Sequence, residues 1–230
     1  MIERSGGMKP RTIQPLLLWG MLGTILLATG DWLMIYGDTT AEGNLAWLTV
    51  GVAQIPAWRN AAAMVVAFPA IICYAVALYG IRHVLLEEKQ RTVYTALTAV
   101  GMLPWLCLHL FYTMLLYLFA WMNAQGETTL AHAACEALVG QLGWLIPVSE
   151  VLMLLPFFYL FYVFVRGNTC YKRVMALNNP LIWYVVLKSI TMLLPDAPFR
   201  LAFTNGLMSE AMFIWFLLLL IFHPKEHTLA

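Results

Sequence analysis

Long apolar stretches separated by short polar segments dominate the chain. Six of them reach or approach the length of a membrane-spanning helix, since about 20 apolar residues cross a hydrocarbon core of about 30 Å. They cover residues 13–37, 60–85, 93–121, 145–165, 181–195 and 201–222. The pattern predicts an all-α polytopic bundle of six transmembrane helices that forms a single domain over residues 1–230.

Two further apolar segments are too short to cross a bilayer. They cover residues 45–58 and 129–143, and we expect both to lie in the membrane interface. The fifth span, 181–195, is also short, because some 15 helical residues measure only about 22 Å.

The overall composition excludes packing as a water-soluble domain. Apolar residues make up 62% of the chain and charged residues 11%, whereas soluble domains have roughly 45–50% and about 25%. A net charge of +1 without a basic stripe gives no indication of nucleic-acid binding. The four cysteines are scattered without a CxxC pair, so neither a disulfide framework nor a thiolate zinc site is predicted.

The distribution of lysine and arginine predicts the orientation. The N-terminus, the loops after the second and fourth spans, and the tail hold ten of them: Arg4, Lys9, Arg11, Arg82, Lys89, Arg91, Arg166, Lys172, Arg173 and Lys225. The opposite loops hold Arg59 and Arg200. Because positive residues concentrate on the cytoplasmic side, we expect both termini to be cytoplasmic, in a cell inner membrane.

Ionisable side chains interrupt five of the six spans. They are Asp31, His109, Glu150, Lys188 and Glu210, with Arg59 at the rim above them. Counting residues from the span ends places the three acids and Lys188 roughly 9–12 Å beneath the outer boundary, and His109 about 18 Å beneath it. Since an intramembrane charge is costly unless it meets a partner, water or a ligand, these six residues are the predicted ligand-binding residues.

A structural interpretation of the same residues stays open. Lys188 is the natural counter-ion for at least one carboxylate, and interhelical salt bridges would fix helix packing. Arg59 would then extend to lipid headgroups. One histidine with three carboxylates could bind a divalent ion, but no pair has the i, i+3 or i, i+4 spacing of bundle metal sites, so no metal site is predicted.

Four short motifs resemble an uncharacterised family of six-span bacterial integral membrane proteins, known as a domain of unknown function. They are Gly30–Asp31 with Tyr36–Gly37, the segment 56–59 (Pro-Ala-Trp-Arg), His109 with Phe111, and Asn179–Pro180 followed by Pro195 and Pro198. The resemblance covers most of the chain. It implies a bacterial cytoplasmic membrane and no particular activity.

Three functions fit these observations. The first is binding or transport of a small polar or amphiphilic ligand in an outward-facing intramembrane cavity. The second is acid–base catalysis on a lipid or isoprenoid, for which two carboxylates beside an apolar wall are suited. The third is a purely structural membrane protein. No P-loop, HExxH, GxSxG or dinucleotide motif occurs in a supporting context, so no cofactor is predicted, and membrane lipid is the expected partner.

Overall fold

The computed structural model describes residues 13–37 and 55–224. These residues form seven α-helices: α1 (Ile13–Ile35), α2 (Ala57–Ile81), α3 (Glu88–Ala124), α4 (Thr128–Leu142), α5 (Leu145–Arg166), α6 (Pro180–Thr191) and α7 (Pro198–Ile221). Short 3₁₀ helices follow α2 (Arg82–Val84) and precede α6 (Arg173–Leu177). The described residues contain no β-strand beyond an isolated bridge between Leu85 and Thr169. The all-α prediction is confirmed.

Five of these helices are long and apolar enough to cross a membrane, namely α1, α2 with its 3₁₀ turn, α3, α5 and α7. Helix α6 has 12 residues and is too short by itself, at about 18 Å. The segment 129–143 is helical as α4. Of the predicted interfacial segment 45–58, residues 45–54 lie outside the described part of the chain.

Six of the helices form a ring. Its order is α1, α2, α3, α5, α6 and α7, with α7 closing against α1, and α4 packs against α3. Successive members of the ring run in opposite directions. We call the end that carries Gly37 and Arg59 the Arg59 end, and the opposite end, where α3 begins and α5 finishes, the Glu88 end.

Small residues bring α1 and α2 together. Ala63, Ala67, Ala70 and Ala77 of α2 are all buried, and together they form a face of small residues on this helix. On α1, a Cβ added at Gly23 would lie 3.0 Å from Cys73 and Tyr74. Close backbone approach is a common way to pack helices in a membrane, and here it fixes the position of α1 in the ring.

The loop after α5 folds back into the Glu88 end of the bundle. Helix α5 ends at Arg166, and the next residue, Gly167, has a φ of 73°, the left-handed conformation common at helix C-termini. The Asn178 amide then donates to the carbonyl of Trp215 (3.2 Å), and the Asn179 amide donates to that of Phe157 (2.9 Å). Because these carbonyls lie six and nine residues before the ends of α7 and α5, α6 begins roughly 9–13 Å inside the bundle.

The core of the Glu88 half is filled by large side chains. Tyr74, Phe157, Trp215 and Phe216 are each at most 2% exposed. Trp215 meets Phe157 and Phe216 at ring-centroid distances of 6.0 and 4.8 Å. The space inside the ring is therefore closed at this end, and the cavities described below lie toward the Arg59 end.

Candidate functional site

A cavity of about 620 Å³ lies inside the ring of helices. Residues of α1, α3, α5, α6 and α7 form its wall, and the ionisable residues among them are Asp31, His109, Tyr112, Glu150 and Tyr184. We call it the inner cavity. Its volume lies within the range of about 300–1,000 Å³ that is typical of small-molecule sites.

Asp31 and His109 form an acid–imidazole pair on the wall of the inner cavity. The Asp31 Oδ1 atom lies 3.5 Å from His109 Nε2. Asp31 is only 7% exposed, and the Ser209 side chain lies beside its carboxyl group on the same cavity wall. A buried carboxylate needs such partners, so three helices, α1, α3 and α7, join at this point.

Helix α3 presents one continuous face to the inner cavity. Trp105, His109, Tyr112 and Leu116 all line it, at spacings of four, three and four residues that place side chains on the same side of a helix. The Trp105 and His109 rings are 6.1 Å apart between centroids. This face therefore places an imidazole between two aromatic rings.

Glu150 lies at the mouth of the inner cavity. It belongs to the first turns of α5, its side chain is exposed, and it lines the inner cavity together with Tyr112 of α3. Val151, Tyr184 and Asn205 are the other exposed lining residues. The mouth therefore opens between α5, α6 and α7, where the α5–α6 contact is the weakest of the ring.

Arg59 and Glu210 line a different space, a groove of about 860 Å³ on the other side of the α1–α7 contact. The Trp32 indole donates to Glu210 Oε1 (3.3 Å), and Arg59 Nη2 donates to the Trp32 carbonyl oxygen (3.1 Å). Ser209 lines both spaces. Because Asp31 and Glu210 face opposite sides of one helix contact, the predicted six residues do not form a single site.

The Glu210 carboxylate folds back over its own helix. A Cβ added at Gly206 would lie 2.7 Å from Glu210 Oε1 and 2.9 Å from Oε2. The missing side chain at Gly206, one turn earlier on α7, therefore leaves room for the carboxylate beside Trp32. Glu210 Oε2 is buried and accepts no hydrogen bond from the described residues.

Lys188 lines neither space. It is exposed on α6, and no ion pair between described residues includes it. Within residues 13–37 and 55–224, His109 is the basic side chain that meets Asp31. The same part of the chain has no group of three His, Cys, Asp or Glu side chains placed to hold a metal ion.

Comparison with known protein families identifies the family of this chain. A family model described as a family of unknown function, DUF6796, matches residues 8–226. The chain belongs to this family. No curated protein and no solved structure matches the chain.

In this DUF6796 member the structure adds residues that the sequence analysis did not select. Ser209 and Tyr112 contact the inner cavity, and both had a usable signal, since Ser209 precedes Glu210 and Tyr112 lies three residues after His109 on the same helical face. Trp32 had no such signal, because aromatic residues near the ends of spans are expected at membrane interfaces in any case.

Proposed function

We propose that the chain crosses a cell inner membrane six times with both termini in the cytoplasm. The five long helices account for five crossings. Helix α6 can complete the sixth, because it begins about 9–13 Å inside the bundle and adds about 18 Å, which together approach the 30 Å hydrocarbon core. The excess of lysine and arginine at the Glu88 end and in the termini supports a cytoplasmic position for that end.

Thiol labelling tests this topology. In a cysteine-free chain, Gln125→Cys and Lys172→Cys place single thiols on exposed positions at the Arg59 and Glu88 ends, respectively. We expect a membrane-impermeant maleimide to label position 125 in intact cells and position 172 only after permeabilisation. Labelling of both positions in intact cells would contradict the orientation.

For function, we propose that the inner cavity binds a small amphiphilic ligand that enters from the extracytoplasmic side. The observation that carries this proposal is the Asp31–His109 pair, which faces a cavity of about 620 Å³. A pair that served packing alone would not need an open space beside it. The closed aromatic core of the Glu88 half and the mouth beside Glu150 both support access from the Arg59 end.

Analysis of co-purified small molecules tests the binding proposal. The protein is extracted in a mild detergent, and bound compounds are measured by mass spectrometry in the original chain, in Asp31→Asn and in Glu136→Gln. Glu136 is exposed on α4 and lines neither space, so it is the matched control. We expect a compound that is retained by the original chain and by the control and is depleted in Asp31→Asn. Equal recovery from all three proteins would contradict the proposal.

The acid–imidazole pair also favours a second candidate, an enzyme that moves a proton on a lipid or isoprenoid. A carboxyl group and an imidazole in contact can accept and donate a proton at one position, and the apolar wall would hold the substrate chain. Incubation of the protein with membrane lipid extract would then yield an altered compound. If the co-purified compound is recovered unchanged after prolonged incubation, binding without chemistry is favoured.

A further inference from the structure

The inner cavity carries acidic charge without a permanent positive charge to balance it. Its lining residues include the carboxylates of Asp31 and Glu150, and among the described residues that form the wall there is no lysine or arginine. Arg59 lies on the other side of the α1–α7 contact, and Lys188 is exposed and lines neither space. The charge of this space therefore depends on two carboxyl groups and one imidazole.

The Asp31–His109 pair does not neutralise the negative charge of Glu150 when the two groups share one titratable proton. If the proton is on the imidazole, the pair consists of one negative and one positive group; if it is on the carboxyl group, both members are neutral. In either arrangement the net charge of the pair is zero, and Glu150 leaves the cavity negative. A negative group at the mouth attracts a cation, and the attraction increases as the cation moves from the exposed mouth into the less polar interior.

The remaining wall suits an organic cation better than a metal ion. Trp105, Tyr112 and Tyr184 line the cavity, and the faces of aromatic rings attract positively charged groups within about 6 Å. Most other lining residues are aliphatic or methionine, which favours an apolar body. The described residues offer no cluster of three metal-binding side chains.

We infer that the ligand of the inner cavity is an amphiphilic organic cation, with its positive group near Glu150 and the Asp31–His109 pair and its apolar part against Trp105 and the aliphatic wall. This inference rests on the proposed function of the same site. The negative charge and aromatic rings select the cation, and the volume of about 620 Å³ accommodates a ligand of drug-like size.

Two hydrophobic ions of equal shape and opposite charge provide the test. Binding of tetraphenylphosphonium and of tetraphenylborate is measured with the full chain in lipid nanodiscs, and binding to empty nanodiscs is subtracted. We expect saturable binding of tetraphenylphosphonium and none of tetraphenylborate. Because Glu150 is exposed at the cavity mouth, Glu150→Gln should fold normally and weaken binding of the cation at least tenfold.

A charge reversal gives the sharper comparison. Glu150→Lys should abolish saturable binding of tetraphenylphosphonium and introduce binding of tetraphenylborate, whereas the control Glu136→Lys, exposed on α4 outside both spaces, should leave binding of the cation unchanged. A similar loss in Glu136→Lys would mean that surface charge alone is responsible and would overturn the inference.

The remaining outcomes separate this inference from the function on which it rests. If the original chain binds tetraphenylborate and not tetraphenylphosphonium, and if Asp31→Asn removes that binding, the cavity binds ligands but the cationic class is wrong. If neither ion binds, the inference is overturned. In that case the co-purification experiment with Asp31→Asn still decides whether the cavity has a ligand of another class.

Discussion

The carboxylate of Asp31 on α1 lies 3.5 Å from the imidazole of His109 on α3. Helices α1 and α3 are not neighbours in the ring, because α2 lies between them. The two side chains therefore meet inside the ring, in the half of the bundle nearer the Arg59 end. With Ser209 of α7 beside Asp31, it connects three helices around a space that their backbones leave unfilled.

We predict that Asp31 and His109 are energetically coupled. His109→Leu removes the imidazole partner of a carboxylate that is 7% exposed, so it should destabilise the protein by about 2 kcal/mol, more than it does when Asp31→Asn is also present. Unfolding of the two single variants and the double variant in a detergent series gives the coupling free energy, which we expect to be about 1–2 kcal/mol. Additive effects within about 0.3 kcal/mol would mean that the two groups do not interact.

We predict that Gly206→Ala stabilises the protein less when the Glu210 side chain is present than when it is absent. The new Cβ would lie 2.7 Å from Glu210 Oε1, so it should displace the carboxylate from Trp32 and offset the gain of about 1 kcal/mol that alanine gives over glycine in a helix. In a Glu210→Ala background that gain should appear. The thermal stabilities of the four proteins measure the difference, and an equal effect of Gly206→Ala in both backgrounds would rule out the contact.

Two helical glycines form a matched pair for the packing of α3 against α5. A Cβ at Gly101 would clash with the Leu152 carbonyl oxygen, whereas a Cβ at Gly140 of α4 meets nothing within 4 Å. Gly101→Ala should therefore separate the helices and destabilise the protein by about 2 kcal/mol or more, while Gly140→Ala should stabilise it by up to about 1 kcal/mol. Denaturation of both variants in the same detergent checks the opposite signs.

Asn179 should be needed for the start of α6. Its side chain accepts a hydrogen bond from the Leu181 amide at the helix N-terminus and donates one to the Phe157 carbonyl. Asn179→Ala loses both and should cost about 1–2 kcal/mol, whereas Asn179→Asp keeps the cap and loses the donor. The control is Asn205→Ala, because Asn205 is exposed and its hydrogen bond to a described residue is to the Leu201 carbonyl of its own helix. If Asn179→Ala were no more destabilising than Asn205→Ala, the two Asn179 hydrogen bonds that hold the start of α6 inside the bundle would be contradicted.

The helices of this chain were predictable because each apolar run is long and ends at polar residues. The relative depths of the site residues in the bundle were harder to predict. Residue counting placed His109 about twice as deep as Asp31, whereas in the structure the two side chains meet at one level, with 3.5 Å between Asp31 Oδ1 and His109 Nε2. From the helix ends, His109 is about 22 Å inside α3 and Asp31 about 6 Å inside α1, so the contact between them means that α3 extends beyond α1.

The separation of the predicted residues into two spaces was beyond the sequence for a similar reason. Asp31 and Trp32 are neighbours on α1, yet Asp31 lines the inner cavity and Trp32 lines the groove that contains Glu210. Helical periodicity gives the angle between such neighbours. It does not give which helix packs on each side, since that depends on the close approach of α1 to α2 and α7 through small residues.

The central claim is that Asp31, His109 and Glu150 surround one ligand-binding space within the membrane. Electron cryo-microscopy of the chain in lipid nanodiscs, extracted under mild conditions, tests it most directly. We predict non-protein density inside the ring of helices that contacts the Asp31–His109 pair and extends toward Glu150. A map in which protein side chains fill this space, or in which the Asp31 carboxylate faces lipid, would contradict the account.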